Sequence, residues 1–344
     1  MPSSPRFQSY LNKAPLVVAF AWLGFAAPQA RAETVTVDTS LDTVAVSPST
    51  SPLDGSGNRS LRSALQYLNA RLDIDDDEIV LPAGLGTYTL TRANPGGPEN
   101  SAAYGDLDVT RSSSYGAITI RSDTPGTQAV IDGGMLDRVF DKRNSGATLT
   151  LRDLLIMGGL ATDDGVTAGN ARGGGILAYS GTLTLDHVAV SSCVASGANG
   201  TLGAAGGSAS GGGLYAYGSG TVNLINASLL QYCNALGGDG GAGAAGAPGN
   251  AGGAGGAGGV AQGGGFFLGG GTLSVTDSTV SENSANAGNG GAGGAGGAGQ
   301  FTGPSTPSVP AGAGGAGGAG GASGGRHLHQ FWNAPNPERH GKRQ

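Results

Sequence analysis

From Gly146 onward the chain alternates apolar and polar residues in short paired runs. Leu149 and Leu151 are followed by Leu154 and Ile156, Leu183 and Leu185 by Val188 and Val190, and Leu273 and Val275 by Val280. A period of two marks strands, and the change of phase between the paired runs marks a corner. Each pair opens on the same phrase, at Gly146-Ala147-Thr148-Leu149, Gly181-Thr182-Leu183, Gly220-Thr221-Val222 and Gly271-Thr272-Leu273. Glycine triplets at 173–175, 211–213 and 263–265 close the first three copies, followed by Ile176-Leu177, Leu214-Tyr215 and Phe266-Phe267. One such unit cannot bury its own apolar face, so the copies must stack in parallel, about 4.8 Å apart. The openings grow further apart along the chain while the strand pattern stays constant, which places the added residues in one loop at one corner. The expected fold is therefore all-β, a right-handed parallel β-helix with loop insertions crowded on one face, the usual place for a binding surface in a solenoid.

A different period stands out before the repeats. Within 60–69, Leu61, Ala64, Leu65 and Leu68 fall on one face behind Ser60, a good N-cap, which predicts an amphipathic helix that covers the open end of the stack. Residues 1–32 have the form of a secretory signal: Arg6 and Lys13 precede an apolar stretch too short to span a bilayer, and Ala30-Arg31-Ala32 supplies a cleavage site. Four segments are thus expected: a signal peptide (1–32), a cap with the first coils (33–145), coils with inserts (146–325) and an aberrant tail (326–344). Export, with no transmembrane segment in the mature chain, is the expected destination.

Composition changes the picture at the inserts. Glycine supplies 69 of 344 residues, far above the ~7% of ordinary chains. The inserts are dominated by Gly-Gly-Ala triplets, as at 251–259, 290–299 and 311–321. Collagen has the same period but requires proline that these triplets lack. Two conformations remain: flexible coil, which is the expectation, or extended three-fold helices packed side by side, which glycine alone permits. A net charge of −6 without a basic stripe argues against nucleic acid as partner.

The run Ser60-Leu61-Arg62-Ser63-Ala64-Leu65 with Asn69 resembles the signature of bacterial CSLREA-domain proteins. The likeness continues through Ile79-Val80-Leu81-Pro82-Ala83-Gly84, Gly105-Asp106-Leu107-Asp108-Val109 and Val130-Ile131-Asp132-Gly133-Gly134. Two positions depart from that signature, whose cysteine is replaced near Arg59 and whose glutamate is replaced by Ser63. The triplet and Gly-Thr punctuation is similar to repeats of polymorphic outer-membrane proteins and pectin-lyase-like folds. These resemblances imply an exported parallel β-helix at the cell surface or in the medium, and no general activity.

Candidate chemistry is sparse. Asp73, Asp75, Asp76, Asp77 and Glu78 form an acidic run able to chelate calcium, or else a solvated turn ahead of the strand at 79–81. Asp106, Asp108, Asp132, Asp137, Asp141, Asp163 and Asp164 are enough carboxylates for polysaccharide cleavage if two of them flank one bond, but several adjoin glycine and read as turn formers. His187 has no histidine partner before the tail, so neither a zinc cluster nor a catalytic base is indicated. Asn226 and Asn283 fit polar corners, where asparagine tolerates a left-handed backbone. Cys193 and Cys233, the only cysteines, occupy equivalent positions on adjacent coils if one extra residue is accommodated near Ser228. That predicts proximity and the possibility of a disulfide.

No cofactor and no catalytic residue is expected. The leading expectation is a non-enzymatic surface or secreted protein, adhesive or glycan-binding, with surface glycans or other cell-surface proteins as partners. The alternatives are a polysaccharide-degrading lyase or hydrolase and a frameshift-truncated fragment of a larger surface protein. The second alternative arises because Arg326-His327-Leu328-His329 abandons the repeat where another glycine triplet is due. A frame shifted by one nucleotide admits codons for a further coil with its Gly-Thr-Leu opening, in which case the tail is expected to be disordered.

Overall fold

A computed structural model describes residues 32–95, 99–142, 146–165, 169–301 and 308–324. The expected signal (1–32) lies outside them except for Ala32, and so does the tail at 326–344. The described chain is predominantly β, with four parallel sheets and one α-helix, an arrangement compatible with the expected solenoid. Each coil contributes one strand, or one bent pair of strands, to each wall, and its equivalents in the next coil pair with it in parallel.

The longest wall carries the alternating runs. Thr148–Met157, Thr182–Ser191, Thr221–Ile225 and Thr272–Val275 stack so that Leu149, Leu183, Val222 and Leu273 align, as do Leu151, Leu185, Leu224 and Val275. The expected corner is tighter than a turn: in the first two of these coils a single left-handed residue, Asp153 (φ 53°) or His187 (φ 55°), bends one continuous ten-residue strand. The next coil uses two such residues, Asn226 and Ala227, before Leu229–Gln231. This supplies the extra residue required near Ser228. The Ser228 hydroxyl secures the bulge by donating to the Ile225 and Leu185 carbonyls at 2.8 and 3.0 Å.

After a second corner come Leu160–Ala161, Val194–Ser196, Asn234–Leu236 and Ser284–Asn286. The inserts leave here and return to Ala171–Arg172, Ala209–Ser210, Ala261–Gln262 and Ser323–Gly324. The glycine triplet then leads to the last wall, Leu107–Asp108, Phe140–Lys142, Ile176–Ala178, Leu214–Ala216 and Phe266–Leu268. Pairing runs without interruption from Ile118–Ser122 to Thr148–Met157, so the sequence boundary at 145 is a change of texture within one stack.

Side-chain volume follows the width of the stack. Between the long wall and the last wall, Leu149, Leu151, Ile156, Ile176, Leu185, Leu214 and Leu224 fill one continuous core. Where the walls that carry the inserts converge, the core shrinks to Ala171, Ala195, Ala209, Ala235 and Ala261. The triplets exist because there is no room for anything else. The first glycine is left-handed (Gly173, φ 63°; Gly211, φ 66°), and a Cβ on the third would lie 3.1 Å from the Cys193 Sγ at Gly175 or the Cys233 Sγ at Gly213.

The helix Leu61–Ala70 (α1) starts at Ser60 with a reciprocal cap: the Ser60 hydroxyl accepts from the Ser63 N–H at 3.0 Å, and the Ser63 hydroxyl accepts from the Ser60 N–H at 2.9 Å. Leu61, Ala64, Leu65 and Leu68 join the main core. Arg62, on the same buried side, spans from the Asp42 carboxylate at 2.5 Å to the carbonyls of Ala102, Gly105 and Asp106, which ties the helix to the first coils.

The expectation of flexible inserts is wrong. They form an ordered raft of extended legs joined by glycine hydrogen bonds that recur every three residues, the period of polyproline II. Gly240, Gly243 and Gly246 donate to the carbonyls of Asn289, Ala292 and Ala295, each at 2.8 Å, linking one outgoing leg to the next. Gly252, Gly255 and Gly258 link the returning legs in the same way, to Ala313, Ala316 and Ala319. The remaining glycine of each triplet bonds across the two layers: Gly256 donates to Gly241, Gly291 to Gly256 and Gly318 to Gly291, at 2.7 to 2.8 Å. Coil was expected because a Gly-Gly-Ala leg has no bonds within itself; order comes entirely from the neighbouring loops.

Candidate functional site

The triplets make a concave corner along the stack, and the outward side chains on its two sides differ in chemistry. On one side Arg172, Ser210 and Gln262 align in register. On the other stand Leu177, Tyr215 and Phe267, also in register, with Tyr179 and Tyr217 beyond them. Between the two ladders lies a groove of about 410 Å³, closed beside the inserts by Asn170 and Ser208. Asn170 is positioned there by its Oδ1, which accepts the Ser208 N–H at 2.8 Å.

The aromatic side is built as a stack. Tyr215 and Phe267 lie nearly parallel (10°) with ring centroids 5.3 Å apart, and the Arg172 guanidinium lies 5.2 Å from the Tyr215 centroid. Tyr215 is almost fully buried, and burial raises its pKa. Tyr217 and Tyr179 remain 43% and 46% exposed, with centroids 5.4 Å apart, so they offer ring surface and hydroxyls to solvent. Arg172 also approaches Asp164 at 3.7 Å and is the one charged side chain lining the groove among the described residues. This arrangement suits a ligand that is apolar on one flank and rich in hydroxyls on the other.

These residues were not singled out in the sequence as a site. Their signal was present in the pair after each triplet, of which the first member (Ile176, Leu214, Phe266) points inward and the second (Leu177, Tyr215, Phe267) points outward. An aromatic at the second position therefore stands on the outer face of its wall, where Tyr215 is covered by its neighbours and Phe267 is half-buried.

The aspartates converge, but elsewhere. Arg138 gathers Asp106 at 2.9 Å, Asp141 at 3.6 Å, Asp137 at 3.7 Å and Asp163 in direct contact. A second group, Glu99, Asp106 and Asp108, brings carboxylate oxygens within 4.8 Å of one another. Burial pushes Asp106 well above the usual carboxylate range. Burial, then the Asp106 charge and the hydrogen bond with Glu99, push Asp108 up to about 10. Burial works in the same direction on Glu99, but hydrogen bonds from Ser101 hold it lower. Asp106 and Asp108 are buried and Glu99 is half-buried, and burial favours the protonated forms of the two aspartates. Asp132 is a turn former whose Oδ1 accepts the Gly134 N–H at 2.9 Å.

The acidic run does not assemble around a common point. Asp73 and Asp77 both reach Arg111 at 2.5 Å and also pair with Arg71, Glu78 pairs with Arg121, and the Asp76 Oδ1 accepts the Ala117 N–H at 2.7 Å. Asp75 is half-buried beside them, its carbonyl accepting from Arg111 at 3.3 Å. His187 pairs with Asp153 at 2.7 Å across coils. Asn226 is left-handed as expected, and its amide donates to Asp186 at 2.6 Å. Asn283 departs from expectation: Glu282 takes the left-handed corner, and Asn283 stacks on Cys233 instead, accepting its N–H at 2.9 Å and donating to the Leu230 carbonyl. Cys193 and Cys233 are both buried, with free thiols.

No helix among the described residues is long and apolar enough to cross a membrane. Searches against protein families, curated proteins and solved structures return no match to this chain.

Proposed function

We propose that this chain is an exported, non-enzymatic surface or secreted protein, a right-handed parallel β-helix of the CSLREA kind, that binds glycan chains in the groove between its aromatic and polar ladders. The observation that carries this reading is the groove that sets exposed Tyr217, with Tyr179 packed against it, opposite Arg172, Ser210 and Gln262. A pyranose has an apolar face of C–H groups and a rim of hydroxyls, which complement a ring surface on one side and amide, hydroxyl and guanidinium groups on the other. Groove and ladders run along the stack, with one set of side chains per coil about every 4.8 Å, so a linear chain meets similar groups repeatedly.

The rival reading, polysaccharide cleavage, requires carboxylates open to a bound chain. No carboxylate lines the groove among the described residues, and those that converge lie elsewhere, Asp106, Asp108 and Asp141 buried and Asp137 and the partly exposed Asp163 paired with Arg138. Affinity electrophoresis or calorimetry against a panel of soluble polysaccharides tests the binding reading. Tyr217→Ala and Gln262→Ala are each expected to weaken binding about tenfold or more, on the scale of about 1.4 kcal/mol, with an unchanged circular dichroism spectrum. Binding that survives both changes, or no binding across the panel, would overturn it.

A further inference from the structure

The two cysteines are the clearest feature that glycan binding leaves unused. Val194 pairs with Asn234 and Ser191 with Gln231, so Cys193 and Cys233 occupy the same position on adjacent coils. Neighbouring parallel strands lie about 4.8 Å apart, inside the Cα separation of about 4.4 to 6.8 Å that a disulfide spans. Both side chains point inward at the narrow waist, where the glycines at 175 and 213 face them, and both are fully buried. In the reduced chain the Cys193 thiol donates to the Ser191 carbonyl at 3.3 Å and the Cys233 thiol to the Gln231 carbonyl at 3.2 Å, and the proximity of the two sulfurs raises the Cys193 pKa and lowers that of Cys233. Below them lies Gly159, and above them Asn283 satisfies the backbone of Cys233.

We propose that Cys193 and Cys233 are oxidised to a coil-to-coil disulfide during export, stapling the base of the first long insert. The Cys233 thiolate attacks the disulfide of a thiol–disulfide oxidant, expelling one of its thiolates and forming a mixed disulfide. The Cys193 thiolate then attacks the Cys233 sulfur and expels the second. Two electrons and two protons leave the chain, and the oxidant becomes a dithiol. Because both sulfurs are buried in the finished stack, exchange must take place before these coils close. The folded, reduced protein is therefore expected to resist oxidation.

The inference rests on the export reading for its oxidising milieu, and the test separates the two. Full-length chain is refolded in a glutathione redox buffer, then denatured and alkylated with and without reductant, and its intact mass is measured. A loss of about 2 Da with no alkylation before reduction and two alkylations after it is the expected result. Two alkylations without reductant after refolding would overturn the proposal, whatever the compartment. So would a mass gain from a soft monovalent metal held between the thiolates. A bond that forms on refolding while chain isolated from cells carries two free thiols would instead count against export. Because Cys193→Ser can disturb the waist, Cys193→Ala is the companion variant: its alkylation at Cys233 alone, with the β signal intact, shows that the bond is dispensable for folding. Its thermal midpoint is expected to fall below that of the oxidised chain and to match that of the reduced one.

Discussion

The body of the stack and the glycine raft obey the same geometry with opposite materials. In the body, strands pair in parallel from coil to coil, and the space between walls is filled by Leu, Ile and Val at alternating positions. In the raft, legs also align from loop to loop, but the space between the layers is zero side chains wide. A Cβ on Gly255, Gly256, Gly258 or Gly291 would drive into a carbonyl of the neighbouring leg, closer than any real non-bonded contact. The alanine neck at Ala195, Ala209, Ala235 and Ala261 marks the crossover. The comparison teaches that the separation between layers selects the residue: aliphatic where walls stand apart, alanine where they converge, glycine where backbones touch. Stability differs accordingly, coming from apolar burial in the body and in the raft from hydrogen bonds worth about 0.5–1.5 kcal/mol each, set against the entropy of ordering glycine.

The largest expected effect lies in the body. Leu224, 1% exposed, sits between Leu185 and Val275 in the long wall. Leu224→Asp buries a carboxylate with no partner in that column and is expected to cost about 4 kcal/mol or more. The loss should spread to both neighbouring coils, read as a loss of β circular dichroism. A cooperative, near-native melt in this variant would break the claim that the body is held by its core.

The raft should fail separately. Gly256→Ala is expected to open the inserts to proteolysis and hydrogen exchange while the β signal of the body persists, because the added methyl meets the Ala204 backbone. Gly320→Ala is the control, since nothing described lies within 4 Å of its Cβ position. Deleting 237–259 should likewise spare the body, loop closure depending only weakly on length, yet expose the loops on either side that lose their bonding partner. Equal loss of body signal in the deletion and in Leu224→Asp would show that the two regions are not separable.

How legible these regions were follows from where their information lies. The register of the long wall was readable because each coil announces itself: Thr148, Thr182, Thr221 and Thr272 align in the structure as they do in the sequence. The helix was readable for the same local reason, Ser60 and its apolar face being contiguous. The order of the raft was not, because a Gly-Gly-Ala leg is indistinguishable from coil until another leg offers carbonyls at the same period. The fate of the acidic run was hidden too, since Arg111 reaches Asp77 from a different coil. The aromatic ladder was half readable: alternation after the triplet places Tyr215 and Phe267 outward, but the polar wall that makes a groove of them comes from the other side of the corner.

The smallest expected effect concerns pH and the body's interior acids. Asp108 titrates near 10 in the folded chain, chiefly because it is buried, against about 3.9 in an unfolded one. Below pH 4 both states hold the proton and Asp108 contributes no pH dependence. As pH rises above that, the unfolded chain ionises while the folded one does not, so stability declines toward neutrality and beyond. Asp106 acts in the same direction. Glu99, shifted down, acts oppositely, and its contribution is lost only as pH falls below its unfolded value of about 4.3. Lys142, which burial lowers to about 8, changes nothing below that pH, since both states are then charged. Between pH 5 and 7.5 the carboxyl group of Asp108 should therefore contribute a fall in thermal midpoint as pH rises. Asp108→Asn keeps an acceptor for the Ala102 N–H and a donor toward Glu99, so it should flatten that slope and raise the midpoint by more at pH 7.5 than at pH 5. Parallel slopes for the two proteins would mean that Asp108 is already ionised in the folded state and that Arg138 compensates more of this cluster than its geometry implies.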